Sequence, residues 1–208
     1  MTSGVRITYT CPPKERQTDM GERYTILASG ERYFIERPED CAFNIEDIAT
    51  GLSRQCRFNG QFAKFSDSIY AVTQHSILVD DIVNKLFEVR EARPWAIAHD
   101  AMEGILGDII SPVKFFCPEF SEIEDKGADL LRDYYAVPYD DSIRDIVHKA
   151  DILACAMEAE ALTDIPAVDW GLPKPPISMQ QLYGDDWKPM GILESREAFL
   201  VRWSEVIG

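Results

Sequence analysis

Apolar and polar positions follow one another along most of the chain with the spacing of an α-helix. Six segments carry an apolar stripe at this spacing: 44–53, 70–87, 94–106, 121–135, 142–161 and 194–206. Pro94 is well placed as a first helical residue, and Gly107 as the residue that ends the same helix. Helices are therefore predicted to form most of the structure.

Near the N-terminus the pattern changes to short alternating runs. Strands are predicted over 24–28 and 32–36, joined by a turn at Ser29 and Gly30. No linker-like stretch divides the chain, and 208 residues are enough for one domain with a sizeable core. The predicted fold class is all-α, a single domain over 1–208 built as a helical bundle with a small N-terminal β-hairpin.

Three segments are predicted to be irregular. Residues 1–23 are polar and form an arm, and residues 54–65 form a loop. Five prolines lie between 164 and 192, and each removes a backbone donor and fixes φ. A proline-rich loop without a regular helix is expected there. Its aromatic residues Trp170, Tyr183 and Trp187 are expected either to pack over the core or to act as a lid that stacks on a base.

The segment 94–106 combines an apolar surface with two carboxylates. At about 100° of rotation per residue, Glu103 lies about 40° and Asp100 about 100° from His99, with small residues between them. The other faces are apolar, so this helix is predicted to lie in the middle of the protein. The face that carries His99, Asp100 and Glu103 is therefore predicted to form the floor of a pocket.

Carboxylates buried in that position need compensation. No lysine or arginine follows Arg93 within the helix, and a divalent cation would neutralise Asp100 and also explain the neighbouring imidazole. His75 lies on the core-facing stripe of its own predicted helix, and Asp151 lies at the margin of another. Each alone is more often an ordinary core histidine or a solvated carboxylate, so no single one of these residues indicates a metal.

Composition narrows the classes of function. The formal net charge of −15 disfavours a nucleic-acid polymer as partner. The five cysteines are scattered without a CxxC pair, which argues against a disulfide framework and a thiolate zinc site; Cys155 is read as a small core residue. No apolar run approaches the ~18 residues that would cross a bilayer. A cytoplasmic protein with no membrane partner is expected.

Taken together, the chemical residues resemble the HD-domain phosphohydrolases. That family carries a His, a His-Asp pair and a distant Asp on separate helices, matched here by His75, by His99 with Asp100, and by Asp151. The run from His99 to Lys114 resembles the bacterial 5′-deoxynucleotidases, in which HDAxE is followed by GD and a Ser/Thr-Pro-x-Lys segment. The resemblance covers about residues 45–161 and implies an HD-domain helical bundle.

The resemblance also implies roles for single residues. His75, His99, Asp100 and Asp151 would hold one divalent ion, whether Mn, Co, Fe, Zn or Mg. Glu103 would transfer a proton and Asp108 would orient the substrate or its sugar. Arg57 and Lys114 would hold phosphate, and Phe58 would pack against the sugar. For Lys114, a solvated position on the surface is expected equally. At the position of Phe58, the related enzymes have Trp.

Three functions remain open on the sequence. The favoured one is removal of phosphate from deoxynucleoside 5′-monophosphates. The second is release of triphosphate from deoxynucleoside triphosphates, since the hairpin and the Arg57-Phe58-Asn59-Gly60 segment also look like phage and prophage members of the superfamily. The third is a non-catalytic module that binds metal and nucleotide. A homo-oligomer is expected from the resemblance, and His148 is expected to lie at the surface.

Overall fold

The computed structural model describes residues 22–65 and 67–208. The predicted irregular arm over 1–23 therefore lies almost entirely outside the described residues. The fold class is confirmed, because the structure is mostly helical with one small two-stranded antiparallel sheet. Its elements are β1 Tyr24–Ile26, β2 Arg32–Phe34, α1 Ile45–Leu52, α2 Val72–Lys85, α3 Arg93–Ala98, α4 Glu103–Leu106, α5 Ser111–Lys114, α6 Pro118–Tyr134, α7 Asp141–Leu162, α8 Met179–Tyr183 and α9 Ile192–Val206.

The hairpin is tied to the first helix by a buried carboxylate. β1 pairs with β2 so that Tyr24 faces Phe34. The turn between the strands is longer than the predicted two residues, and both the backbone N–H and the hydroxyl of Ser29 donate to the Asp47 carboxylate at 2.7 Å. Because Asp47 belongs to α1, these two bonds fix the hairpin against the helical body.

Helix α2 lies at the centre of the molecule. It packs against α3, α7 and α9, and its apolar stripe is fully buried. On the side of α2 that faces α9, the buried Asp80 accepts two hydrogen bonds at 2.8 Å from Arg93 and another from Arg202. A buried carboxylate with this set of donors has its charge compensated. The ion pairs hold α2 and α9 together and so fix the position of His75.

The predicted continuous helix over 94–106 is wrong. The structure divides it into α3 and α4, separated by a turn at 99–102. In and after this turn, the amides of Ala101, Glu103 and Gly104 donate to carbonyls three residues back. The chain therefore winds as tightly as a 3-10 helix here. His99 and Asp100 lie in this turn and not inside a regular helix.

A pair of glycines accounts for the close crossing of α1 and α4. A Cβ on Gly51 would lie 1.9 Å from the carbonyl oxygen of Gly104, and a Cβ on Gly104 would lie 2.6 Å from the carbonyl oxygen of Ile48. No side chain fits at either position without moving backbone. The absence of side chains there lets α4 approach α1 and bury Ile105 and Glu103.

Two short helices were not predicted. Helix α5 begins next to Pro112, where proline is tolerated because the first amides of a helix have no helical partner. Helix α8 interrupts the proline-rich segment 164–192, so the prediction of no regular helix there is wrong over five residues. Ser178 and Gln181 form a capping box at its start. No helix among the described residues is long and apolar enough to cross a membrane.

Replacing Gly51 with alanine tests the helix crossing. Gly51→Ala is expected to lower the free energy of unfolding by at least about 2 kcal/mol, because overpacking against backbone outweighs the gain of about 1 kcal/mol in helix propensity. Urea unfolding followed by circular dichroism measures the effect. Gly191→Ala is the control, since a Cβ there meets open space and costs at most about 1 kcal/mol at a helix start. Equal unfolding midpoints for the two variants would contradict the crossing.

Candidate metal centre

Three elements bring two imidazoles and a carboxylate together. His75 comes from α2, His99 follows the end of α3, and Asp151 comes from α7. Each contributes a ligand atom to a group in which all atoms lie within 4.8 Å of one another. His75 is fully buried, and its Nε2 lies 3.1 Å from Asp151 Oδ1. The three predicted ligands therefore form a cluster that could hold a metal ion.

Asp100 faces the same two imidazoles. Its Oδ2 lies 3.5 Å from His75 Nε2 and 3.2 Å from His99 Nε2. The group of three within 4.8 Å does not include it, so its role as a fourth ligand stays a prediction.

The far side of each imidazole is already hydrogen-bonded. His75 Nδ1 lies 2.7 Å from Glu158 Oε1, and His99 Nδ1 lies 2.8 Å from the carbonyl oxygen of Ala96. Because a carbonyl only accepts, Nδ1 of His99 must carry the proton, and in the neutral ring its Nε2 then offers a lone pair. The same arrangement at His75 uses a carboxylate. Both rings are thus oriented with Nε2 toward the centre of the cluster.

These two Nε2 atoms indicate whether a metal ion fits the cluster. Both are buried and neither has a hydrogen-bond partner among the described residues, although carboxylate oxygens lie close by. Buried polar atoms without partners are rare in native proteins. Two imidazole nitrogens and one or two carboxylates are a common ligand set for divalent transition ions. The residues present therefore fit a divalent cation.

The electrostatics of the cluster favour positive charge. Burial and Arg57 disfavour the charged form of His75, but Glu158 and Asp151 outweigh them and raise its pKa to about 10. Burial alone would raise the pKa of Asp100, yet the neighbouring His99 and His75 hold it well below its usual range. Carboxylates that stabilise the positive charge of a protonated imidazole in this way would also attract a metal cation.

A cavity of about 690 Å³ opens beside the cluster. Seven of the nine predicted site residues line it: Arg57, Phe58, Asp100, Glu103, Asp108, Lys114 and Asp151. His75 and His99 lie behind them in the protein interior. The cavity also carries apolar side chains, including Ile110, Ile152 and Leu172. It therefore combines a charged floor with apolar walls, as small-molecule sites do.

Glu103 and Lys114 interact directly in the cavity. Lys114 Nζ lies 3.2 Å from Glu103 Oε1 and 2.9 Å from Glu124 Oε1. Lys114 is thus a partly buried, ion-paired residue, and the reading as a solvated surface lysine is wrong. α5 thus supplies Glu103 with a basic partner that lies outside the predicted helix over 94–106. Even so, burial with Asp100 and Asp108 raises the pKa of Glu103 to about 9.

Arg57 and Phe58 also line the cavity. Arg57 Nε is 3.5 Å from Glu158 Oε2, and despite burial this carboxylate raises the pKa of the guanidinium, which stays charged. Phe58 has a positive φ of 54°, and its ring meets the ring of Trp170 edge-on with centroids 5.4 Å apart. The two aromatic rings form one apolar side of the cavity.

Gln55 joins two of the predicted site residues. Its side-chain amide donates to the carbonyl of Glu103, and its oxygen accepts from the backbone N–H of Asp108. These bonds fix the end of α4, where Glu103 and Asp108 enter the cavity. Nothing in the sequence pattern indicated this role. Burial raises the pKa of Asp108, while Arg57 opposes the shift.

Glu158 could have been found from the sequence. It follows Asp151 by seven residues on α7, and seven steps of about 100° return to within about 20° of the same face. A carboxylate on that face, next to the predicted apolar stripe, was a signal for a second group near the metal cluster. The structure shows it fully buried against His75 and Arg57.

The remaining aromatic and polar candidates lie in different places. Trp170 lines the cavity, whereas Trp187 packs edge-on against Phe65 at 5.8 Å between ring centroids. The proline-rich segment therefore contributes to the cavity with one tryptophan and to core packing with the other. His148 is exposed, as expected, and also lines the cavity edge. Cys155 is half-buried in the cavity wall and not a full core residue.

The helical architecture with its His75, His99 and Asp151 cluster is compatible with an HD-type fold. No family model matches the chain. The uncharacterized protein YfdR of Escherichia coli is 32% identical over 110 residues, and this match spans 53% of the chain and 57% of YfdR. The uncharacterized protein RCAP_rcc00048 of Rhodobacter capsulatus is 31% identical over 149 residues, which cover 69% of the chain and 74% of that protein. The chain belongs to the family of this Rhodobacter protein.

Substitution of the histidines tests the cluster. Loss of a residue that only hydrogen-bonds to a metal ligand typically weakens metal binding by about 10- to 100-fold. His99→Ala removes a ligand itself, so it is expected to weaken Co²⁺ binding by more than this. Elemental analysis after dialysis against Co²⁺ measures the bound metal per chain. His148→Ala is the matched control, since its exposed ring lies outside the cluster, and it should retain metal. Full metal retention by His99→Ala would remove this histidine from the ligand set.

Proposed function

We propose that the protein is an HD-type, metal-dependent phosphohydrolase that removes phosphate from deoxynucleoside 5′-monophosphates. The observation that carries the proposal is a pair of buried nitrogens, Nε2 of His75 and Nε2 of His99, which have no hydrogen-bond partner among the described residues and lie behind the lining of a cavity. Carboxylates surround these atoms, and Arg57 and Glu103 line the same cavity. This combination supports metal binding, anion binding and proton transfer at one place.

The chain's own residues divide these tasks. A divalent cation held by His75, His99, Asp100 and Asp151 would neutralise phosphate charge and lower the pKa of a bound water. Arg57 supplies a planar guanidinium that suits a phosphate oxygen pair. Asp108, held by Gln55 at the end of α4, is positioned to accept from a sugar hydroxyl.

Glu103 is suited to donate a proton. A pKa near 9 keeps its carboxyl protonated at neutral pH before a cation binds, and a cation would lower that value. Oε1 contacts Lys114, while the buried Oε2 has no hydrogen-bond partner in the described part of the chain. When the carboxyl is protonated, Oε2 can donate to the leaving oxygen of the substrate. A purely binding module needs no such group.

The charges of the cavity favour a monophosphate over a triphosphate. Four carboxylates line it, and its two positively charged side chains are Arg57 and Lys114. Each of these is already paired with a carboxylate. A triphosphate, with about four negative charges, would add strong like-charge repulsion. The apolar side formed by Phe58 and Trp170 suits a nucleoside, and a preference for the deoxy sugar follows from the resemblance to 5′-deoxynucleotidases.

Turnover of Glu103→Gln tests the proposed reaction. The wild-type protein with Mn²⁺ or Co²⁺ is incubated with deoxynucleoside mono- and triphosphates, and phosphate and triphosphate are detected separately. Glu103→Gln is expected to lose about 10²- to 10⁴-fold in kcat while its metal content stays unchanged. Wild-type kcat/KM should fall as pH rises through the pKa of Glu103, because the proton donor is lost.

Glu122→Gln is the control for this substitution, since Glu122 is exposed on α6. It should behave as wild type at every pH. Full activity of Glu103→Gln would remove the proton-transfer role. Release of triphosphate in place of phosphate would replace the monophosphatase proposal with a triphosphohydrolase, and no product from either substrate class would reject the proposed activity.

Trp170→Leu tests whether the aromatic side of the cavity binds the base. An aromatic contact contributes about 0.5–1.5 kcal/mol, so KM for a deoxynucleoside monophosphate should rise about 2- to 10-fold with little change in kcat. Deoxyribose 5-phosphate has no base, and its kinetics should not change. Val168→Ala, an exposed residue of the same turn, is the control. Equal effects of Trp170→Leu on both substrates would contradict base contact.

A further inference from the structure

Glu158 is a fully buried carboxylate that neither the ligand set nor the cavity lining accounts for. It lies on α7 with no exposed surface. Its Oε1 is 2.7 Å from His75 Nδ1, and its Oε2 is 3.5 Å from Arg57 Nε. One side chain thus lies between the candidate metal ligand and the guanidinium proposed to hold phosphate.

His75 and Arg57 each present a hydrogen-bond donor to Glu158. Arg57 Nε carries a hydrogen under all conditions, and His75 Nδ1 must carry one if Nε2 is to bind a metal. A carboxylate offers two acceptor oxygens and one negative charge, which suits both donors. No amide, hydroxyl or lysine side chain offers the same two acceptors.

The Arg57 contact is not a satisfied hydrogen bond. At 3.5 Å, Nε and Oε2 are both without a hydrogen-bond partner among the residues that the structure describes. The contact is therefore an ion pair that attracts the guanidinium toward α7 while leaving Nε–H without an acceptor among the described residues. A phosphate in the cavity would provide the missing acceptor.

We infer that Glu158 is a positioning residue that couples the metal centre to anion binding, by orienting His75 through Oε1 and Arg57 through Oε2. The inference rests on the proposed function in that it takes the cluster to bind a cation and the cavity to bind phosphate. It adds one consequence. A single substitution at a residue that touches neither ligand should weaken the binding of both.

Glu158→Gln is the sharpest variant, because glutamine has the same size but one acceptor and one donor. Whichever way the amide turns, its NH₂ group meets either the N–H of His75 or that of Arg57, and two donors repel each other. We expect Co²⁺ affinity, measured from the visible absorption of the bound ion, to fall by about 10- to 100-fold. Binding of inorganic phosphate to the Co²⁺-loaded protein, measured by calorimetry, should weaken as well.

Glu160→Gln is the matched control. Glu160 lies two positions further along α7 and is exposed, so the same change of charge occurs without contact to His75 or Arg57. Its affinities for Co²⁺ and phosphate should stay within twofold of wild type. A merely structural role for Glu158 would lower the thermal midpoint and leave both dissociation constants unchanged.

Circular dichroism establishes whether Glu158→Gln folds. If it does not, Glu158→Asp replaces it, since aspartate keeps the charge and both acceptors but is one carbon too short to keep both contacts. Loss of affinity for both Co²⁺ and phosphate in the folded variant supports the inference, and wild-type affinity for either one overturns it. These measurements need no turnover, so a wild-type protein that binds both probes without hydrolysing nucleotides rejects the proposed function alone. Failure of the wild-type protein to bind Co²⁺ overturns both.

Discussion

The pairing of α2 with α7 across His75 and Glu158 is the constraint around which the candidate site is arranged. An imidazole on the buried face of a helix needs a partner for its N–H, and the carboxylate on α7 supplies it at 2.7 Å. That bond turns the opposite nitrogen toward Asp100 and Asp151. The same carboxylate holds Arg57 close by. Loss of this hydrogen bond would leave Glu158 as a buried charge on α7 and His75 on α2 without a fixed orientation.

The two ends of α2 differ in how their polar groups are satisfied. Asp80 is fully buried, yet it receives hydrogen bonds from Arg93 and Arg202, and Asp81 receives them from Tyr183 and Arg202. Near His75, in contrast, Nε2 of His75, Nε2 of His99 and Oε2 of Glu158 are buried without hydrogen-bond partners in the described part of the chain. Both groups of residues are charged and buried, but only the group around Asp80 and Asp81 is fully hydrogen-bonded. Native proteins leave polar groups unsatisfied mainly where a ligand completes the set, which agrees with a cation site at His75.

Sequence periodicity predicted the long helices well and the short ones poorly. The stripes of α2, α7 and α9 repeat over several turns, so their existence was clear and their ends shifted by only a few residues. The helix over 94–106 failed because periodicity does not report a change from i→i−4 to i→i−3 hydrogen bonds. Helices α5 and α8 have four and five residues, too few for an amphipathic pattern. Tertiary packing determines such short elements.

The same limit applies to the site. Residues with a chemical signature, such as the His99-Asp100 pair, were found because their type and spacing are visible in the chain. Gln55 was not found, and neither was the contact of the predicted residue Lys114 with Glu103, because both side chains reach Glu103 from other elements. Their contribution depends on a three-dimensional approach that no local pattern encodes. Glu158 is intermediate, since its helical phase with Asp151 was visible but its contact with Arg57 was not.

The charge balance of the cavity constrains the order of binding under the proposed function. Four carboxylates line it, while Arg57 and Lys114 are each paired with a carboxylate. A phosphate that entered the cavity before the cation would meet more negative charge than unpaired positive charge. The low dielectric constant of the cavity strengthens the repulsion at such short distances. A cation bound between the imidazoles reverses that balance at the floor of the cavity. Occupancy of the metal site is therefore expected to be a condition for phosphate binding, which makes the orientation of His75 by Glu158 important for both.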